Sequence, residues 1–147
     1  MSIVSQREFS HVIACRDCSR LVEYQARLKD QHPDYWCAPV PPWGSMRPRL
    51  MVVGLAPGLG GAGRTGRGFV GDASGAFLFH SLHRFGFASH QLPELARLRA
   101  TVITNIVKCT PPANRPVSQE KRNCEKFLRK ELMGFAPSGR ARNRVIL

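Results

Sequence analysis

Four of the five cysteines are grouped in a pattern typical of a metal site. Two residues separate Cys15 from Cys18, and Cys109 and Cys124 follow towards the end of the chain. Four thiolates from separate segments can bind one zinc ion or one [4Fe–4S] cluster, and the spacing alone does not choose between these groups. Unligated, buried cysteines are the alternative, because free cysteine packs like a small apolar residue. Cys37 is left over, and core packing or partial exposure is its default.

A glycine-rich stretch that ends at Asp72 is the second candidate site. Residues 54–71 contain eight of the thirteen glycines, so ligands can approach the backbone closely and bind its N–H groups. The stretch lacks the Gly-Lys-Ser/Thr ending of a Walker A loop and the glycine spacing of a dinucleotide site. Asp72 is the only carboxylate between Asp34 and Glu94, which makes it a catalytic candidate, with a helix N-cap as the alternative. For Phe69 the alternative to a binding role is a place in the core.

The charge of the chain favours a polyanionic partner. Twenty-two Lys and Arg against ten Asp and Glu give a net charge of +12, which is typical of nucleic-acid binding, with a generally basic surface as the alternative. No apolar run approaches the ~20 residues of a membrane helix, and the first residues lack the apolar core of a signal peptide. We therefore expect a cytoplasmic protein without membrane contact. Its cysteines should stay reduced, which favours a metal over disulfides.

Hydrophobic patterning predicts alternating helices and strands. The predicted elements are an interrupted helix over residues 3–28, an irregular segment over 30–48, a strand over 50–54, a helix over 72–85, a strand over 100–107, a helix over 118–132, a basic loop over 134–144 and the start of a strand at 145–147. Leu78, Leu82 and Phe85 should form the apolar side of the helix over 72–85, with Gly86 as its stop. This alternation predicts an α/β fold, a central parallel β-sheet flanked by helices, in a single domain over 1–147.

Two long motifs resemble those of a known family. Gly54-Leu-Ala-Pro-Gly58, followed by Gly61-Ala-Gly-Arg-Thr-Gly-Arg-Gly-Phe-Val-Gly-Asp72, resembles the first motif of the type-5 uracil-DNA glycosylases, a branch of the superfamily that carries a [4Fe–4S] cluster. Thr104-Asn-Ile-Val-Lys-Cys109-Thr-Pro-Pro-Ala-Asn-Arg-Pro116 is similar to the second signature of that branch. The type-4 branch usually has an acid where this chain has Leu55, so type 5 is the closer match. The likeness spans about residues 11 to 147.

The resemblance implies a monomeric DNA repair enzyme with a uracil-DNA glycosylase-like fold. Such an enzyme hydrolyses the N-glycosidic bond of uracil, and of other deaminated bases, in double-stranded or single-stranded DNA and leaves an abasic site. By resemblance, Asp72 stabilises the oxocarbenium-like sugar or aligns water. Phe69 stacks on the flipped base and Asn105 hydrogen-bonds the uracil edge, although a strand-end turn residue is the alternative for Asn105.

The resemblance also assigns the remaining candidate residues. Gly54 and Ala56 belong to the base-binding motif, and Ala56 stands where some other branches have a water-directing acid. The cluster ligands would be Cys15, Cys18, Cys109 and Cys124, with zinc as the alternative to [4Fe–4S]. The side chains expected to contact DNA phosphates are Arg64, Arg67, Lys108 and Arg115.

Three departures from the family pattern affect these expectations. Gly63 stands where the family usually has Asn, and Val70 where it often has Thr. The family also continues to a His-Pro-Ser-type motif whose histidine completes the uracil pocket, and no equivalent precedes Leu147. We therefore expect a domain that is incomplete at its C-terminal end. The alternatives are a catalytically inactive nucleic-acid-binding remnant with the same metal or iron–sulfur site, and a zinc-ribbon-like interaction module.

Overall fold

A β-sheet lies at the centre of the computed structural model, which describes residues 6–135 and 144–146. Within these residues the strands are β1 (Trp43–Gly44), β2 (Leu50–Gly54), β3 (Thr101–Asn105) and β4 (Arg144–Ile146), in the spatial order β1-β3-β2-β4. Strand β2 pairs in parallel with β3 and with β4. The predicted parallel sheet is confirmed for these three strands. It becomes mixed because β1, from the segment predicted to be irregular, pairs antiparallel with β3.

Helices precede the sheet, connect its strands and cover its faces. The helices of the described residues are α1 (Ser10–Ile13), α2 (Ser19–Gln31), α3 (Ala62–Thr65), α4 (Ala73–Arg84) and α5 (Ser118–Phe135), with 3-10 turns at Gln6–Phe9, Pro93–Leu95 and Pro112–Asn114. The predicted break at the Cys15/Cys18 turn is confirmed, whereas residues 3–5 and most of the predicted loop over 134–144 lie outside the described residues. Nowhere in the described chain is a helix both long and apolar enough to cross a membrane.

The apolar sequence of β2 is explained by a helix on each side of the sheet. Leu50 and Val52 face α4, where they pack in one cluster with the fully buried Phe79. Val53 faces the opposite side and packs with Phe135 of α5. Because alternate side chains point to opposite faces and both faces are covered, the strand has no polar side.

Helix α4 begins and ends close to where the sequence predicts. Asp72 is its N-cap, and the Asp72 Oδ1 atom accepts a hydrogen bond of 2.8 Å from the Gly75 N–H. Gly86, at φ +80°, follows the last turn as predicted. The prediction for Phe85 is wrong, because its side chain is 74% exposed and Phe79 occupies the core instead. Phe85 is the C-cap of α4, and the buried face of the helix ends before it.

The site of interest lies where β2 and β3 end. The two strands run in register from Leu50 opposite Thr101 to Gly54 opposite Asn105. Their carboxyl ends therefore meet at one edge of the sheet, where ligands bind in open α/β folds. The loops that follow both strands leave from this edge.

Candidate active site and cysteine centre

A cleft of about 360 Å³ opens at the carboxyl edge of the sheet. Four residues that the motifs single out, Ala56, Phe69, Asp72 and Asn105, line it together. They come from the segment after β2, the glycine-rich loop, the N-cap of α4 and the end of β3. A volume of this size suits a small ligand such as a single nucleobase.

Gly54 allows an aromatic ring and an amide to converge in the cleft. A methyl group at position 54 would lie 2.4 Å from Asn105 Oδ1 and 2.8 Å from Phe69 Cε2, so only glycine leaves both side chains in place. Gly54 is thus part of the floor beneath the two predicted base-binding side chains.

The backbone of Phe69 is in a strained conformation. Its φ is +60°, a left-handed value that costs an aromatic residue roughly 1–3 kcal/mol. Two contacts fix the loop: the Trp43 indole N–H donates to the Gly68 carbonyl at 3.0 Å, and the Phe69 carbonyl lies against Gly75. A methyl group at Gly75 would approach that oxygen to 1.9 Å. The start of α4 therefore determines where the ring of Phe69 stands.

The two oxygens of Asp72 have different surroundings. Oδ1 caps α4 through the Gly75 N–H. Oδ2 lies over Gly61, where an added methyl group would be only 2.2 Å away. The N-cap role is therefore compatible with a carboxylate that faces the cleft, and the two roles proposed for Asp72 do not exclude each other.

Asn114 is a cleft residue that sequence reasoning missed. It follows Ala113 in a 3-10 turn, and the two residues have φ values of +55° and +54°. Asn is among the few residues that tolerate the left-handed region, so an Ala-Asn turn between prolines is a signal that could have indicated a shaped loop.

An ion pair between distant segments supports this loop. The Arg20 guanidinium donates to Glu120 Oε1 and Oε2 at 2.7 and 2.9 Å, and to the Arg115 carbonyl at 3.3 Å. Burial alone would raise the pKa of Glu120, but hydrogen bonds from Arg20 and from the Val117 N–H outweigh burial, so that the pKa is lowered. Helix α2 and the start of α5 are thereby joined to the loop beside the cleft.

Cys15, Cys18, Cys109 and Cys124, the four cysteines of the predicted metal site, lie together in the structure. Cys109 and Cys124 are buried in a cluster with Val12, Leu21, Val107 and Phe127, and Cys15 and Cys18 pack against that cluster. Cys37 is buried elsewhere. The structure therefore brings the four cysteines together from three segments, as predicted. Among the described residues, however, no three His, Cys, Asp or Glu side chains are arranged to hold a single metal ion.

The Cys18 sulfur accepts a hydrogen bond of 3.3 Å from Asn123 Nδ2. Polar groups beside the other three sulfurs oppose the rise of the thiol pKa that burial causes: the Asp17 backbone at Cys15, the Gln25 side chain at Cys109 and the Lys108 backbone at Cys124. Burial raises the pKa of the Cys109 thiol to about 12, and the charges of the other three cysteines add to that rise. Four thiols close enough for their charges to shift one another's pKa suit a group that binds them as thiolates.

The family model of the uracil DNA glycosylase superfamily matches residues 41–139 of the chain. The chain belongs to the uracil DNA glycosylase superfamily. The match includes both loops that line the cleft, and it confirms the predicted fold family.

Individual relatives within this superfamily are similar over most of the chain. The type-5 uracil-DNA glycosylase of Pyrobaculum aerophilum is 42% identical over 136 residues, which cover 87% of this chain and 60% of that protein. That of Thermus thermophilus is 42% identical over 135 residues, which cover 86% and 61%. That of Mycobacterium tuberculosis (strain CDC 1551 / Oshkosh) is 41% identical over 132 residues, which cover 82% and 48%.

These matches confirm the resemblance to the type-5 branch. A type-4 uracil-DNA glycosylase of Pyrobaculum aerophilum matches only 56% of the chain, at 40% identity. The chain spans about 60% of the length of the first two type-5 relatives.

Lys108 is too deeply buried to contact a DNA phosphate. Its side chain is 1% exposed, and Nζ donates to Thr104 Oγ1, to the Asn105 carbonyl and to Glu131 Oε2. The prediction of a phosphate contact for Lys108 is therefore wrong. Burial lowers the pKa of the ammonium, and the charge of Glu131 opposes that effect.

The three arginines of the predicted DNA-binding set have different surroundings in the glycosylase-like fold. Arg64 is exposed, and its Nε donates to the Gly60 carbonyl at 3.0 Å, so it also braces the glycine-rich loop. The guanidinium of Arg67 lies 5.4 Å from the centre of the Trp43 ring. Arg115 is exposed on the loop that carries Asn114.

We expect Gly61→Ala to displace the Asp72 carboxylate without removing its charge. Because the new methyl group would overlap Oδ2, the carboxylate must move, and a shift of about 1 Å at a reacting group can cost roughly 10²-fold in rate. The measurement is single-turnover excision of uracil from duplex DNA. Gly60→Ala is the matched control, because nothing lies within 4 Å of a methyl group there. Equal rates for both variants would show that the position of Asp72 is irrelevant.

Proposed function

We propose that the protein is a DNA glycosylase that excises uracil, and other deaminated bases, from double-stranded or single-stranded DNA. The observation that carries this proposal is the convergence of Asp72, Phe69 and Asn105 in one cleft at the carboxyl edge of the sheet. Type-5 uracil-DNA glycosylases at 41–42% identity support it. The reaction hydrolyses the N-glycosidic bond and leaves an abasic site.

The cleft residues divide the work of base recognition and bond cleavage. A flipped base must leave its stack, and the ring of Phe69 replaces the lost stacking. The Asn105 amide carries both a donor and an acceptor, which match the edge of uracil. As the bond to the base breaks, positive charge develops on the sugar. The Asp72 carboxylate stabilises that charge or aligns the attacking water.

The exposed arginines beside the cleft supply phosphate contacts in this proposal. We expect Arg115→Gln to reduce the slope of log K against log salt by about one unit, the value for one lost phosphate contact. Fluorescence anisotropy with a labelled duplex at several salt concentrations measures that slope. Arg129→Gln is the control, because Arg129 is exposed and paired with Glu125 well along α5, which runs away from the carboxyl edge of the sheet. A slope that is unchanged by Arg115→Gln would remove Arg115 from the interface.

We infer that Cys15, Cys18, Cys109 and Cys124 bind a [4Fe–4S] cluster. An all-cysteine donor set suits either this cluster or zinc. The four cysteines lie in and against one buried group, as a shared donor set requires. When bound, the cluster would link the turn before α2, the segment after β3 and helix α5, and its role would be structural.

One experiment tests the enzymatic proposal and its alternative together. The chain is incubated with a labelled duplex that contains a single uracil, and alkali-labile abasic product is quantified beside salt-dependent binding. Abasic product supports the glycosylase. Salt-sensitive binding without product would mean a nucleic-acid-binding remnant. Iron and sulfide analysis of anaerobically purified protein decides the cofactor: about four of each support the cluster, whereas one zinc would replace it.

A further inference from the structure

A buried charge network lies directly beneath the base-recognition amide. Lys108 and Glu131 are 1% and 2% exposed, and their charged groups are 2.9 Å apart. The Thr104 hydroxyl accepts from Lys108 Nζ at 2.6 Å and donates to Glu131 Oε2 at 2.7 Å. A buried ion pair contributes little net stability compared with apolar residues of similar size, so its presence calls for another explanation.

Lys108 uses all three ammonium hydrogens in this network. The third goes to the backbone carbonyl of Asn105, at 2.7 Å, where β3 ends. An ammonium group has three donors and no acceptor, so its hydrogen-bonding capacity is fully used. The bond closes the turn over residues 105–108 and fixes the peptide that carries the Asn105 side chain into the cleft.

Lys108 also connects this turn to helix α5. Its Nζ donates to Glu131 Oε2 at 2.9 Å. Its carbonyl accepts from the Val40 N–H at 2.7 Å. The turn is therefore joined to the helix that carries one of the paired cysteines, and the position of Asn105 depends on that helix through Lys108.

We propose that Lys108 is a positioning residue that fixes the Asn105 amide for base recognition and couples it to the helix that carries Cys124. The proposal rests on the proposed function, because it assigns the base edge to Asn105. Lys108 acts through Asn105 and touches no substrate.

The test separates positioning from stability with a double variant. Lys108→Met alone leaves the buried Glu131 carboxylate without an opposite charge and should lose stability. Lys108→Met with Glu131→Leu removes both charges and should recover stability but not the hydrogen bond to Asn105. We expect the dissociation constant for free uracil, measured by calorimetry, to rise about tenfold in both variants, as for one lost hydrogen bond. Iron content should stay at the wild-type value.

Lys130→Met serves as the control, since Lys130 is an exposed lysine of α5, the helix that carries Glu131. Wild-type uracil affinity in the double variant would overturn the proposal, because it would show that Lys108 matters only for stability. If the wild-type protein binds no free uracil, crystal structures of the wild type and the double variant decide the positioning role: a displaced Asn105 amide supports it, and an unmoved one overturns it. The proposed function is tested separately, by abasic product.

Discussion

Asp72→Asn should lower the rate of uracil excision by about 10²-fold or more, the usual cost of losing one preorganised electrostatic contact to the transition state. The substitution removes the negative charge and keeps the shape of the side chain. Asn is as good an N-cap as Asp, so the bond from the Gly75 N–H and the stability of α4 should be retained. Single-turnover excision and thermal unfolding of the same preparation measure the two effects.

Asp72→Ala completes the comparison by removing the cap as well. We expect it to lose activity to the same extent as Asp72→Asn and, in addition, about 1 kcal/mol of stability. If Asp72→Asn excised uracil at the wild-type rate, Asp72 would be an N-cap only, and the charge in the cleft would have no part in the reaction.

If the four cysteines bind the proposed cluster, Cys109→Ser should remove its iron and lower the free energy of unfolding by at least about 3 kcal/mol, because the binding free energy of a structural metal group is also folding free energy. Cys109 is buried in the hydrophobic cluster to which α1, α2 and α5 each contribute side chains. The loss of stability should therefore extend to all three helices. Iron and sulfide content and denaturant unfolding under anaerobic conditions measure the change.

Cys37→Ser is the matched control for that prediction. Cys37 is also buried, at 8% exposure, but it lies outside the set of paired cysteines. Its replacement should leave the iron content unchanged. Full iron content in Cys109→Ser, or equal iron loss in both variants, would contradict the assignment of the four ligands.

Local patterns in the sequence predicted the parts of the fold that depend on near neighbours. The apolar runs around Val52 and Ile103 predicted two buried strands, and Asp72 and Gly86 predicted the ends of α4. Such signals work because strand alternation and helix capping involve residues only a few positions apart. Phe85 is an exception. The periodic pattern predicted a buried side chain, but the helix ends one residue earlier and the ring of Phe85 is exposed to solvent.

The cleft was predictable in composition and not in detail. Parallel strands that end at Gly54 and Asn105 must bring their following loops to one edge, so the motif residues were expected together. The left-handed turn that carries Asn114 into the cleft was missed. That turn is supported by Arg20 and Glu120, which are 100 residues apart in the sequence, and no local pattern predicts such a pair.

The sequence by itself predicted strands β2 and β3, the caps of α4, the group of four cysteines and the motif that indicated the family. The tertiary structure alone decided what Lys108 does. A lysine in a basic chain is normally exposed, but this one is enclosed because Glu131, 23 residues later, returns on α5 and supplies the opposite charge. The burial of Lys108 depends on α5, which packs over it from a distant part of the sequence. How that helix packs on the sheet cannot be predicted from the neighbours of Lys108 in the sequence.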